Sequence, residues 1–125
     1  MDLDNPVIQL CMEGTRAEFL GQIEQARALY RKAWESVQSD YDGCIAAHYV
    51  ARHQEDHRER LYWNQVALER ANAVTDDSVR EFYPSLFLNM GQSYELLGNA
   101  EEARRYYGLA AELGVVHQMD DPQET

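Results

Sequence analysis

The sequence predicts an all-α fold, an α-solenoid of six antiparallel helices arranged as three similar pairs. Apolar residues recur with a period near 3.6, strong strand signals are absent, and one helix–turn–helix pattern occurs more than once. The pattern is clearest where two apolar stripes flank Gly98. Its positions are Phe87, Gly91, Leu97, Gly98, Ala103, Tyr107 and Ala110. We expect one domain at residues 1–114 and a flexible acidic tail at 115–125.

The first pair, at about residues 7–39, carries the same pattern. Its positions are Leu10, Gly14, Leu20, Gly21, Ala26, Tyr30 and Ala33. Asn5 followed by Pro6 is typical of an N-cap and a first helical residue. Gly21 is typical of the left-handed residue that ends a helix, as are Gly98 and Gly114 in the third pair. The sequence therefore predicts two helices joined by a short turn at Gly21.

The second pair, at about residues 40–75, matches the pattern less well, because Ala47 replaces the glycine and Trp63 the tyrosine. Ser39 with Asp42 resembles a capping box, and Asp56 is a suitable N-cap for the fourth helix. About ten extra residues precede the third pair. We assign them to a longer fourth helix and an early start of the fifth.

The third pair occupies about residues 76–114, and Pro84 interrupts its first helical run. Either one kinked helix runs from about residue 78 to 97, or a short turn precedes a new helix that begins at Pro84. We favour the kinked helix, with Asp77 or Ser78 as its N-cap. Asn99 is the expected N-cap of the sixth helix.

This pattern of glycine, alanine and tyrosine resembles the tetratricopeptide repeat, a helix–turn–helix unit of about 34 residues. The resemblance implies a small bacterial protein of that family. It also implies a concave groove that is lined by the first helix of each pair and binds a protein or peptide. Carried over to this chain, the groove residues are Cys11, Thr15, Glu18, Tyr41, Cys44, His48, Arg52, Leu88, Asn89, Gln92 and Glu95, flanked by Ile8, Phe19, Ala51, Ser85 and Leu96.

The charge of the chain restricts the class of partner. The formal net charge of −11 argues against nucleic acids and anionic membrane surfaces, and it favours a peptide with basic residues. Members of the family that clamp a C-terminal carboxylate use several cationic and amide side chains. Here only Arg52 and Asn89 are available, against Glu18 and Glu95, so we reject that function. No long apolar segment and no secretion signal are evident, and we expect a cytoplasmic protein.

The two cysteines raise an alternative function. Cys11 and Cys44 fall at the same groove position of adjacent pairs, and His48 lies one turn from Cys44, so a zinc or thiol-redox site is conceivable. The competing interpretation is two small packing residues, and we favour it because no fourth ligand is evident. His53 and His57 fall at a turn and need not share a helix. We expect no cofactor, and no catalytic motif predicts an enzyme.

The sixth helix has no successor to cover its apolar residues, which are Leu109, Leu113, Val115 and Val116. Solenoids usually end in a helix with a polar outer face. A homodimer through this helix, or a longer protein, would cover these side chains.

Overall fold

The computed structural model describes residues 3–114, and six α-helices lie within them. The helices are α1 (Pro6–Phe19), α2 (Ile23–Glu35), α3 (Asp40–Ala51), α4 (His57–Ala73), α5 (Tyr83–Leu96) and α6 (Ala100–Glu112). Each helix packs against the next along the chain, and α3 also contacts α1. The predicted all-α helical-repeat fold is therefore confirmed, and the expected tail at 115–125 lies outside the described residues.

The first and third helix pairs have the same boundaries, shifted by 77 positions. Pro6–Phe19 corresponds to Tyr83–Leu96, and Ile23–Glu35 corresponds to Ala100–Glu112. The packing within each pair is also the same. A Cβ added to Gly14 would lie 2.3 Å from Cε1 of Tyr30, and one added to Gly91 would lie 2.5 Å from Cε1 of Tyr107. In both pairs, glycine on the first helix gives room for the tyrosine ring of the second.

Most of the predicted helix ends are confirmed. The side chain of Asn5 accepts a hydrogen bond from the backbone N–H of Val7 at 2.8 Å, and Ser39, Asp56 and Asn99 cap α3, α4 and α6 in the same way. The three glycines that end α1, α5 and α6 have positive φ angles, between 77° and 88°. These conformations are available to glycine at little cost.

The prediction of one kinked fifth helix is wrong. A 3-10 turn at Arg80–Phe82 precedes α5, which begins at Tyr83 and carries Pro84 in its first turn. Proline is tolerated there because the first backbone N–H groups of a helix have no partner within the helix. The predicted cap is also wrong, since no side chain caps α5 and Asp76 instead accepts from the N–H of Ser78. The expected longer fourth helix is confirmed, as α4 has 17 residues, but the expected early start of the fifth helix is wrong, because α5 begins at the same repeat position as α1.

The core combines small residues where helices meet with large aromatic rings between them. Fully buried alanines at the helix contacts are Ala26, Ala33, Ala46, Ala47, Ala67, Ala103 and Ala110. Across the boundary of the first two pairs, the ring of Trp34 meets that of Trp63 edge-on at 5.1 Å between centroids. Such aromatic contacts add to the hydrophobic gain of burial and hold neighbouring pairs at a fixed angle.

Candidate functional site

An open cleft of about 620 Å³ lies on one side of α3, α4 and α5. Its lining residues are His48, Ala51, Arg52, Arg60, Asn64, Asn89, Gln92, Ser93, Glu95 and Leu96. Five residues of the predicted groove thus lie together: His48, Arg52, Asn89, Gln92 and Glu95. Most of the lining residues are polar, with amides, cations and one carboxylate, which are groups that recognise a peptide backbone and charged side chains.

The wall of the cleft is held by hydrogen bonds between helices. Asn64 on α4 is buried, and its Nδ2 donates to Oγ of Ser93 on α5 at 2.9 Å. Nδ2 of Asn89 lies 3.3 Å from Nδ1 of His48 on α3. Burial, and secondarily the charge of Arg52, lower the pKa of His48. The imidazole is therefore neutral at neutral pH and adds hydrogen-bonding capacity without positive charge.

The sequence prediction missed the residues that α4 contributes. Arg60 and Asn64 line the cleft, although the family pattern places the groove on the first helix of each pair only. One signal was available for Asn64, since it lies on the apolar face of α4 that also carries Ala67 and Ala71. A buried amide on such a face needs a hydrogen-bonding partner, and here that partner is Ser93.

Glu18 was predicted to line the groove, but it is already engaged by Arg52 and His53 of the second pair. Its Oε2 lies 2.6 Å from Nη2 of Arg52, and its Oε1 lies 2.8 Å from Nε2 of His53 and accepts from the hydroxyl of Tyr30 at 2.6 Å. Burial alone would raise the pKa of Glu18, but the hydrogen bonds from Arg52, Tyr30 and His53 outweigh it and lower the pKa to about 2. The carboxylate joins the first two pairs and does not line the cleft.

The other predicted residues of the first pair also lie outside the cleft. The hydroxyl of Thr15 donates to the carbonyl of Cys11 at 3.0 Å and lies 3.3 Å from the hydroxyl of Tyr30. Cys11 is buried in the core. In the first pair, the groove positions thus serve packing and local hydrogen bonding.

Of the remaining predicted residues, Cys44 lines a second, smaller cavity of about 150 Å³ together with His48, Phe82 and Ser85. The ring of Tyr41 packs against that of Phe82, with centroids 6.2 Å apart. Leu88 is half-buried on α5 and does not line either cavity. The predicted groove is therefore not one continuous surface: the two cavities contain only His48, Arg52, Asn89, Gln92, Glu95 and Cys44 of its residues.

The two cysteines show the properties of packing residues. Burial raises the pKa of Cys11 to about 12 and that of Cys44 to about 11. Within residues 3–114, no group of three or more His, Cys, Asp or Glu side chains is placed to hold a metal ion. His53 lies in the turn between α3 and α4, and His57 begins α4.

Comparison with known families gives a match to part of the chain. Residues 84–113 match the family described as Tetratricopeptide repeat, and this segment covers nearly all of α5 and all of α6. No curated protein and no solved structure matched the chain. Of the helices in residues 3–114, none is both long and apolar enough to cross a membrane. Residues 84–113 are therefore similar to the tetratricopeptide repeat, and the six-helix fold with its repeated helix pairs agrees with that similarity.

Proposed function

We propose that the chain is a non-catalytic module that binds a protein partner or a peptide through the polar cleft between α3 and α5. The observation that carries the proposal is the convergence of side chains from three helices, with His48, Asn89 and Gln92 on one concave surface. Gln92 is exposed, and its amide is available to the backbone of an extended or helical peptide.

The cleft is lined by two cations, Arg52 and Arg60, and one carboxylate, Glu95, so its attraction for a basic residue of a partner is local to Glu95. The guanidinium of Arg52 is paired with Glu18, whereas Glu95 at the other side of the cleft accepts a hydrogen bond from the hydroxyl of Tyr107 at 2.7 Å and forms no ion pair within residues 3–114. The net charge of −11 strengthens the attraction at long range.

A pull-down with two matched variants tests the proposal. Gln92→Arg places a bulky cation in the cleft, and Gln38→Arg makes the same change at an exposed residue between α2 and α3. We expect proteins captured from lysate and identified by mass spectrometry to be retained by Gln38→Arg and lost with Gln92→Arg. If both variants capture the same proteins as the native chain, the cleft is not the binding site.

We infer further that the module works in the cytoplasm of a bacterium, where two unpaired thiols such as Cys11 and Cys44 remain reduced. The homodimer through α6 also remains a proposal, since Leu113 is 51% exposed. Sedimentation analysis tests it, and a monomer at high protein concentration would contradict it.

A further inference from the structure

The first helix pair holds the second by two residues of opposite charge, Glu18 on α1 and Arg27 on α2. Glu18 binds Arg52 through two contacts, Nε to Oε1 at 3.1 Å and Nη2 to Oε2 at 2.6 Å. Nε of Arg27 donates to the backbone carbonyl of His53 at 3.1 Å, and its Nη2 lies 3.2 Å from Oε1 of Glu55. Both residues therefore bind groups at the turn between α3 and α4.

The third helix pair carries the same two charges at the corresponding positions, Glu95 on α5 and Arg104 on α6. The Glu95 carboxylate has the same internal support, because Tyr107 donates to it at 2.7 Å as Tyr30 donates to Glu18 at 2.6 Å. Among the residues that the structure describes, no cationic side chain contacts Glu95, and Arg104 is exposed and makes no hydrogen bond or ion pair. Glu95 and Arg104 thus occupy the positions of Glu18 and Arg27, but no turn of a following pair binds them among the described residues.

We propose that the open side of α5 and α6 binds the C-terminal end of a partner helix, which supplies an arginine to Glu95 and, three residues later, an acidic residue to Arg104. The spacing follows Arg52 and Glu55 in the second pair of this chain. The proposal rests on the proposed function, because it assumes a protein partner, and it adds the chemistry by which that partner is recognised. The expected geometry at Glu95 is the two-contact guanidinium–carboxylate pair seen at Glu18, which is stronger and more directional than a single hydrogen bond.

A second copy of the chain stacked head to tail does not supply these groups. Stacked head to tail, it would present α1, which has Phe19 at the position of Arg52 and is followed by Gln22 at the position of Glu55. Residues 115–125 contain no arginine and no lysine. Charge complementarity therefore indicates a partner helix from outside these 125 residues as the occupant.

Binding of a synthetic peptide to the full chain tests the inference. The peptide comprises residues 39–56, with serine at position 44 to prevent oxidation, and its partner peptide has citrulline in place of Arg52. Citrulline keeps the shape of arginine and removes its charge. Fluorescence anisotropy of labelled peptides is measured with the native chain, with Glu95→Gln and with Glu69→Gln. The last variant removes an equal charge from an exposed position on α4.

We expect citrulline to weaken binding to the native chain about tenfold, as does Glu95→Gln with the arginine peptide. The two changes together should weaken binding no more than either alone, because they remove the same contact. Glu69→Gln should have little effect. The inference is overturned if the arginine peptide does not bind at millimolar concentration, if Glu69→Gln and Glu95→Gln act alike, or if the two losses are additive.

The peptide test is separate from the test of the cleft. Failure of the peptide to recognise Glu95, with partner capture still lost in Gln92→Arg, would leave the proposed function intact and remove only this inference. If the arginine and citrulline peptides bind equally well and Gln92→Arg captures the same proteins as the native chain, both the inference and the proposed function are contradicted.

Discussion

Gly14 lies on the face of α1 that meets the ring of Tyr30, and a methyl group at this position would have no room. An added Cβ would lie 2.3 Å from Cε1, 2.7 Å from Cδ1 and 2.9 Å from Cζ of Tyr30. The ring is held on its other sides, because it is 1% exposed, stacks on Tyr49 at 5.2 Å between centroids, and donates its hydroxyl proton to Glu18. The substitution Gly14→Ala must therefore displace a helix or a fixed ring.

The magnitude follows from two opposing terms. Overpacking of a core position costs about 1–3 kcal/mol, whereas alanine gains about 1 kcal/mol over glycine in a helix interior. Three ring atoms lie within 3 Å of the added Cβ, which places the cost in the upper half of its range. We expect Gly14→Ala to lower the free energy of unfolding by about 1–2 kcal/mol.

Gly108 provides the matched control. It lies inside α6, and an added Cβ would meet nothing within 4 Å. Gly108→Ala should therefore raise the free energy of unfolding by about 0.5–1 kcal/mol, through helix propensity and the lower entropy of the unfolded chain. Urea unfolding followed by circular dichroism measures both variants. The tight contact between Gly14 and Tyr30 would be contradicted if Gly14→Ala is as stable as the native chain, or if both variants change the free energy of unfolding in the same direction.

Three further outcomes are expected. The folded-state pKa of Glu18, about 2, lies below its ordinary value of 4.5. Its contribution to stability is therefore complete above pH 4.5 and is lost as the pH falls towards 2. Glu18→Gln should flatten the curve of unfolding free energy against pH over that interval, and an unchanged curve would contradict the ion pair. Cys11 and Cys44 should react with a thiol reagent only at the rate of local or global unfolding, and rapid reaction that zinc suppresses would instead support the metal or redox alternative. Asn99→Ala should cost about 1 kcal/mol in a denaturation experiment, whereas Asp77→Ala, which removes no cap, should be neutral; equal losses would place the cap elsewhere.

The sequence is informative where a structural need depends on one residue type. Positive φ at Gly21 and close approach at Gly14 both require glycine, so a repeated glycine pattern predicted the pairs and their turns. Pro84 is ambiguous, since proline occurs both at kinks and in the first turn of a helix, and only the packed structure distinguishes the two.

The site was harder to predict than the fold. His48 and Gln92 could be placed together because the first helices of a repeat share one surface. Glu18 had the same repeat position as Glu95, yet it is neutralised by Arg52, 34 residues away, and that contact depends on how two side chains meet across a pair boundary. Asn64 was missed because it belongs to a second helix.

The position of the cleft follows from a difference between the pairs at two repeat positions. At one repeat position, the first pair has Glu18 and the second pair has Ala51. At the following repeat position, the second pair has Arg52 and the third pair has Leu96. At the boundary of the first two pairs, Glu18 and Arg52 therefore meet and fill the space between α1 and α3. At the boundary of the second and third pairs, Ala51 and Leu96 cannot form an ion pair, and both line the open cleft. Because an alanine stands where Glu18 joins the first pair to the second, the departure of the second pair from the repeat pattern, rather than the pattern itself, creates the candidate binding site.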